Sequence, residues 1–304
     1  MKRKSIGILD YFARHNDAFS AKVGFSRTAG TYERYRIVYR HLKTFVKDTH
    51  ARDDVPITEL RCSFIDEFDV WLRSERGLSP NSVWGYMTVF KHIISLARNE
   101  GLIVINPFSS YINAYSPVDR GYLSEDELVK LMAIPARTEI EDVVRDMFLF
   151  AAFTGLSYID VRNLREDNVQ RRFDGNWWII TRRQKTRVES NIRLLDVPHR
   201  IIDKYRGSMP DERLFPMPSN NCCNENLEKL ASRCDIRIHL TFHVGRHTFA
   251  TLALNRGMPI ETLSSILGHT NIRTTQIYAK ITNKKISEDM AALADKIKDL
   301  KLLV

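Results

Sequence analysis

Along residues 31–48 apolar side chains return at helical steps. Tyr35, Val38, Leu42, Phe45 and Val46 form one stripe, the spacing of an amphipathic helix with a single buried face. Arg36, Arg40, Lys43 and Lys47 recur on another face of the same segment. Upstream, Ile6 to Phe12 predicts a short helix, and a third helix over 64–76 stops before Gly77. Ser79-Pro80-Asn81 opens a fourth, because proline suits a first helical position. Val83, Tyr86, Met87, Phe90, Ile93, Ile94 and Ala97 supply its buried face, and Gly101 is a stop signal. Together these segments predict a small all-helical domain over residues 1–107.

Residues 108–121 read as a linker, since Ser116-Pro117-Val118-Asp119-Arg120-Gly121 breaks the periodicity. A second domain is expected over 122–304. Ser124 followed by Glu127 has the form of a capping box, and the next helix, 139–153, ends near Thr154-Gly155. The texture then changes. Trp177 to Thr181 and Ile192 to Val197 are strand-like runs, flanking a basic turn from Arg182 to Arg187. Helical patterning resumes from 199. At the end, Ile286, Met290, Leu293, Ile297 and Leu300 predict an amphipathic helix within 286–304. The expected class is mainly α with a small β-sheet (α+β).

With 43% apolar and 27% charged residues, the chain has a globular composition, which excludes disordered and collagen-like classes. No run of about 18 apolar residues is present, and no apolar segment with a small-residue cleavage site follows Met1-Lys2-Arg3-Lys4. Cys62, Cys222, Cys223 and Cys234 form no C-x-x-C pair and have no metal-spaced histidines. Reduced thiols in a cytoplasmic protein without membrane partners are the expectation. A net charge of +9 favours a polyanionic partner, through release of the counterions condensed on nucleic acid. Residues 22–47 sharpen this: they hold seven Lys/Arg and a single acid, Glu33, whereas a merely solvated face mixes signs.

Four segments of the second domain carry candidate chemistry. In His243-Val244-Gly245-Arg246 the spacing puts His243 and Arg246 on one helix face, with Thr241 as a candidate N-cap. Such a pair at a helix N-terminus can hold a phosphate. Leu267-Gly268-His269 sets a histidine on an exposed helix-ending turn. Tyr278 lies nine residues later, and Lys185 sits on the basic hairpin. Singly, each has a bland explanation: a polar helix start, a structural histidine, a core tyrosine, a solvated turn.

In combination they resemble the phage-integrase family of tyrosine recombinases. H-x-x-R, then L-G-H, then Y falls in that family's order, preceded by the hairpin lysine and Thr154-Gly155-Leu156. The resemblance covers both domains, a helical core-binding domain and a catalytic one. It implies site-specific strand transfer in which Tyr278 attacks a DNA phosphodiester, displaces a 5′-hydroxyl and keeps the bond energy in a 3′-phosphotyrosyl link. Covalent catalysis of this kind needs no metal, ATP or other cofactor. Arg246 and His243 would stabilise charge on the phosphorane, His269 would assist, and Lys185 would protonate the leaving 5′-oxygen. Arg182, Arg183 and Arg187 are rival cations on the same hairpin. They join Arg36, Arg40, Lys43, Lys47 and Ser157 as expected contacts to double-stranded DNA.

One member of the family pattern is missing. An arginine usually follows T-G-L, with an acid three residues on; here Ser157 stands in the arginine's place and Asp160 in the acid's. Either the chain binds DNA without cutting it, or another cation refills the position. Arg145, on the helix feeding this turn, is the first candidate and Arg162 the second. Some recombinases of mobile genetic elements resemble this chain in having serine there, which favours the active reading. The resemblance also implies a dimer on each DNA site and a tetramer in synapsis, with the last helix docked in its own domain or in a neighbour. A length of 304 residues leaves little room for a further arm-binding domain, which favours inversion or resolution over integration or excision.

Rival functions remain. A helix-turn-helix regulator built on residues 241–267 would bind DNA and give Tyr278 no role. A type IB topoisomerase would share the chemistry with little site preference. A metal nuclease is disfavoured, because no D-x-D-like acidic cluster lies near the basic residues.

Overall fold

The computed structural model describes residues 6–116, 118, 121–184, 186–279 and 283–296. The chain divides into two compact units, Met1–Val118 and Asp119–Val304.

The first unit consists of α1 (Ile8–Ser20), α2 (Ala29–His50), α3 (Cys62–Ser74) and α4 (Pro80–Asn99). The α2 stripe is buried as the periodicity requires. In α4, Val83, Met87, Phe90, Ile93, Ile94 and Ala97 are buried, joined by Val89, while Tyr86 is only partly covered. Phe45 of α2 packs edge-on against Phe64 of α3 with ring centroids 5.2 Å apart, an arrangement favoured by the ring quadrupoles. Ser79 caps α4 by accepting the Ser82 N–H, and Pro80 occupies its first turn. Arg36, Arg40, Lys43 and Lys47 are all exposed. Arg36 donates to Glu33 at 2.9 Å, so the single acid of the stretch is used within the basic face.

The segment after α4 is not free chain up to residue 116. Asn81 pairs with the Ser116 backbone in both directions, donating to its carbonyl at 2.8 Å and accepting its N–H at 3.0 Å. Asn113 donates to the Trp84 carbonyl, and Tyr111 donates to Asp69.

In the second unit, α5 (Glu125–Ala133) and α6 (Glu139–Thr154) are followed by α7 (Tyr158–Arg162), then β1 (Val169–Arg171), β2 (Trp177–Arg182) and β3 (Glu189–Arg193). The rest is helical: α8 (Asp196–Tyr205), α9 (Asn220–Arg233), α10 (Phe242–Asn255), α11 (Ile260–Leu267), α12 (Arg273–Gln276) and α13 (Asn283–Lys296). The capping box is present: Ser124 accepts from Glu127 N–H, and the Glu127 carboxylate accepts the Ser124 N–H. The three strands form one antiparallel sheet in the order β1-β2-β3.

Two local expectations change. The run Ile192–Val197 is strand only to Arg193, and α8 begins at Asp196. Pro198 has no amide hydrogen to give a sheet but fits a first helical turn. Thr241 flanks α10 without a side-chain cap bond; the Asn224 side chain accepts the Phe242 N–H instead, at 2.9 Å.

The core of this unit is centred on α6, whose Val144, Met147, Phe148 and Ala151 are all fully buried. Helix α10 crosses it closely, and a Cβ added to Gly245 would stand 3.2 Å from the Phe148 carbonyl oxygen. Among the described residues, no helix is long and apolar enough to cross a membrane.

Candidate active site

Three chain turns converge at one end of this core. The first is the C-terminal end of α6, where Gly155 takes a left-handed conformation at φ +71°. The second is the end of α11, where Gly268 does the same at φ +61°. The third is the β2–β3 hairpin, docked on α11 by Ser190 donating to the Ile266 carbonyl and Thr186 to the Gly268 carbonyl.

Arg246, one turn into α10 and only 5% exposed, links these pieces. Its guanidinium donates to the Gly155 carbonyl at 2.7 Å and to the Leu267 carbonyl at 2.9 Å. Both are terminal helix carbonyls, which lack intrahelical partners and carry the negative end of the helix dipole. The same Nη2 lies 2.7 Å from Nε2 of His269. On its other side, Nδ1 of His269 is 2.8 Å from the Thr275 hydroxyl. Burial, then the positive charges of Arg246 and Arg183, push the pKa of His269 down to about 4, so the ring is neutral at physiological pH.

Tyr278 follows α12 directly, its N–H donating to the Thr275 carbonyl at 3.0 Å. Its ring is 7% exposed and meets His247 edge-on, with centroids 4.9 Å apart. His247 in turn meets His243 at 4.8 Å. The side chains of His243, Arg246, His269 and Tyr278, drawn from three separate stretches of sequence, therefore form one contiguous cluster.

Arg183 belongs to it as well. At 7% exposed it forms a 3.0 Å ion pair with Asp160, which also accepts the Gln184 N–H at 2.9 Å and the Ser157 hydroxyl. The stem of Arg183 runs across Gly268, where an added Cβ would stand 2.4 Å from its Cγ. Burial, then repulsion from Arg246, brings the guanidinium pKa down to about 10, with Asp160 and Tyr278 acting in the opposite direction. Burial lowers that of Arg246 too, again partly offset by Tyr278 and Asp160. Nη1 of Arg183 is buried without a hydrogen-bond partner among the described residues. Two guanidinium charges are thus opposed by one buried carboxylate, leaving positive charge that a bound anion would neutralise.

Other expected residues lie elsewhere. Arg145 does not enter the cluster: it donates to the Ile134 carbonyl at 2.6 Å and pairs with Asp142 at 2.5 Å and Asp146 at 3.4 Å. It starts nine residues before the end of α6, roughly 13 Å along the axis at 1.5 Å per residue, and those acids hold it there. Arg162, Arg182 and Arg187 are exposed. Lys185 lies outside the described residues. Sequence reasoning placed Arg183 among the DNA contacts and as a rival to Lys185 on the hairpin, and it missed Thr275. The period of two was a signal for the first: counting from buried Ile179, residues 181 and 183 fall on the core face and Arg182 on the other.

Gly268 has two duties here, the left-handed turn and the passage of Arg183. Gly268→Ala is expected to lower stability by about 1–3 kcal/mol, from a non-glycine residue at positive φ plus the displaced stem. Urea unfolding checks this; an unchanged midpoint would mean that the Arg183 stem shifts at no cost.

Residues 121–285 match the model of the phage integrase family, and residues 8–115 match the phage integrase SAM-like domain. The chain is 25% identical over 237 residues to tyrosine recombinase XerC of Oceanobacillus iheyensis, covering 70% of this chain and 74% of that one. Its fold is similar to that of the Tn1549 transposon integrase solved in complex with a circular intermediate DNA. That match has a TM-score of 0.72 at 17% identity, over 95% of this chain and 100% of the other. A lambda integrase dimer bound to a core site gives a TM-score of 0.73 at 16% identity, over 91% and 98% of the two chains.

Proposed function

The chain belongs to the phage integrase family, and on that premise we propose that it is a site-specific tyrosine recombinase acting on double-stranded DNA. The observation that carries the catalytic reading is the buried pair Arg183 and Arg246, short of one negative charge and adjoining Tyr278. A scissile phosphate supplies that charge. In this reading the Tyr278 oxygen forms a bond to phosphorus while the bond to the 5′-oxygen breaks, leaving a 3′-phosphotyrosyl link and a free 5′-hydroxyl. Attack by a 5′-hydroxyl of the partner strand reverses the step and joins the new strand. Arg183 and Arg246 neutralise the non-bridging oxygens at the phosphorane, where charge is greatest, and His243 and His269 add contacts. Asp160 holds Arg183 in place. Lys185, on the hairpin, is the proposed proton donor to the departing oxygen.

Arg183 thereby takes the role expected of an arginine at position 157, and Ser157 serves as a hydroxyl donor to Asp160. Its presence favours a cutting enzyme over a regulator that only binds. The helical first unit contributes the basic face of α2 as a DNA contact. Met290 and Leu293 of α13 are 59% and 48% exposed, which supports docking of that helix into a second copy, with a dimer on each site and a tetramer in synapsis. The linked relatives and solved neighbours, DNA-bound integrases among them, support the DNA partner.

The test is to incubate the protein with duplex fragments spanning the flanks of its own gene, without added metal, and denature. A covalent adduct whose DNA-linked peptide contains Tyr278 is the expected result. Retarded DNA in native gels on a fragment carrying the specific site, with no adduct, would favour the regulator.

A further inference from the structure

The hydrogen bonds of His269 determine which of its ring nitrogens carries the proton. A guanidinium has only donors, so Nε2, 2.7 Å from Nη2 of Arg246, must offer its lone pair. A neutral ring has one N–H, which therefore sits on Nδ1 and donates to the Thr275 hydroxyl at 2.8 Å. Thr275 is fully buried, so water cannot replace that acceptor. The same residue receives the Tyr278 N–H on its carbonyl oxygen. Thr275 thus joins the imidazole to the nucleophile's turn through its side chain and its backbone at once.

We propose that Thr275 is a positioning residue: its hydroxyl fixes the Nδ1–H form of His269, aims Nε2 at Arg246 and the phosphate beside it, and sets the ring's distance from the Tyr278 turn. This rests on the recombinase reading for what Nε2 meets. When a phosphate arrives, Nε2 stays an acceptor and keeps the Arg246 guanidinium turned toward the phosphate oxygens, while Nδ1–H keeps its bond to Thr275. The charged groups facing the ring are Arg246 and Arg183; the negative phosphorane offsets both. Without the hydroxyl, an Nδ1–H would be a buried donor with no acceptor, which favours the opposite tautomer. An Nε2–H would then oppose the Arg246 donors, and both side chains would lose their alignment.

The experiment compares the unaltered chain, Thr275→Val and Thr275→Ser by ¹⁵N NMR of the histidine rings, together with adduct formation on the duplex fragments described above. Valine keeps the shape and removes the hydroxyl; serine keeps the hydroxyl. The unaltered and serine proteins should show Nδ1–H at His269. The valine protein should show Nε2–H and form adduct about 10- to 100-fold more slowly, the scale of a misaligned reacting group. Normal tautomer and rate in Thr275→Val overturn the proposal. If that variant does not fold, an Nε2–H signature in the unaltered chain overturns it alone. Failure of the unaltered chain to form any adduct counts against the recombinase reading, while the tautomer result still decides the role of Thr275.

Discussion

Tyr278→Phe is expected to abolish the covalent DNA adduct completely while leaving the fold and DNA binding intact. The ring itself has a structural place: it is buried with Ala250, Leu263 and Leu267 and stacked edge-on against His247. Phenylalanine preserves all of those contacts. The lost hydroxyl interacts with the Arg246 guanidinium, and losing a hydrogen bond to a charged group costs about 1.5–3 kcal/mol, too little to unfold a domain of this size. Chemistry, by contrast, depends on the hydroxyl oxygen that phenylalanine lacks. Denaturing gels read the adduct and native gels the binding. An adduct that persists in the phenylalanine protein would move the nucleophile elsewhere and remove the central assignment.

Arg183→Ala should slow adduct formation by about 10²–10³, the usual cost of losing one positioned donor to a developing oxyanion. Arg145→Ala should leave the rate unchanged. Its effect should instead fall on stability, because Arg145 serves Asp142, Asp146 and the Ile134 carbonyl. The contrast separates the two candidates for the missing arginine in one assay. Burial of Arg183 is costly, and its partner Asp160 offsets only part of that. A scaffold that keeps such a charge inside, with one nitrogen unbonded among the described residues, is suited to an anion. Adduct rates in Arg183→Ala close to those of the unaltered chain would show that the phosphate is held without it.

Periodicity made the helices legible, because each buried stripe is a property of neighbouring residues alone. The α2 stripe and the Ser124 capping box needed nothing from the rest of the chain. The cluster was legible as a motif order, which brought His243, Arg246, His269 and Tyr278 into view before any geometry. What the motif could not supply was direction. Arg145 and Arg183 are both arginines at plausible separations from Ser157, and only the docking of the hairpin on α11 separates them. That docking depends on hydrogen bonds spanning 76 and 82 residues of sequence. The strand-like run after Ile192 misled for a different reason: its apolar residues suit either state, and Pro198 decided the outcome. Thr275 escaped because a threonine near a tyrosine carries no signal until its hydroxyl is seen against an imidazole.

The path of Arg183 over Gly268 has a consequence for how such proteins diverge. A cation that enters from a hairpin depends on a serine at 157, an acid at 160 and the absence of a side chain at 268. An arginine restored at 157 would compete with Arg183 for the same carboxylate. These positions are therefore expected to change as a set, with single replacements less fit than either complete arrangement. If Arg183→Ala slows cleavage as expected, scoring related sequences by the residue after T-G-L alone discards working enzymes; the residue just after β2 has to be counted beside it.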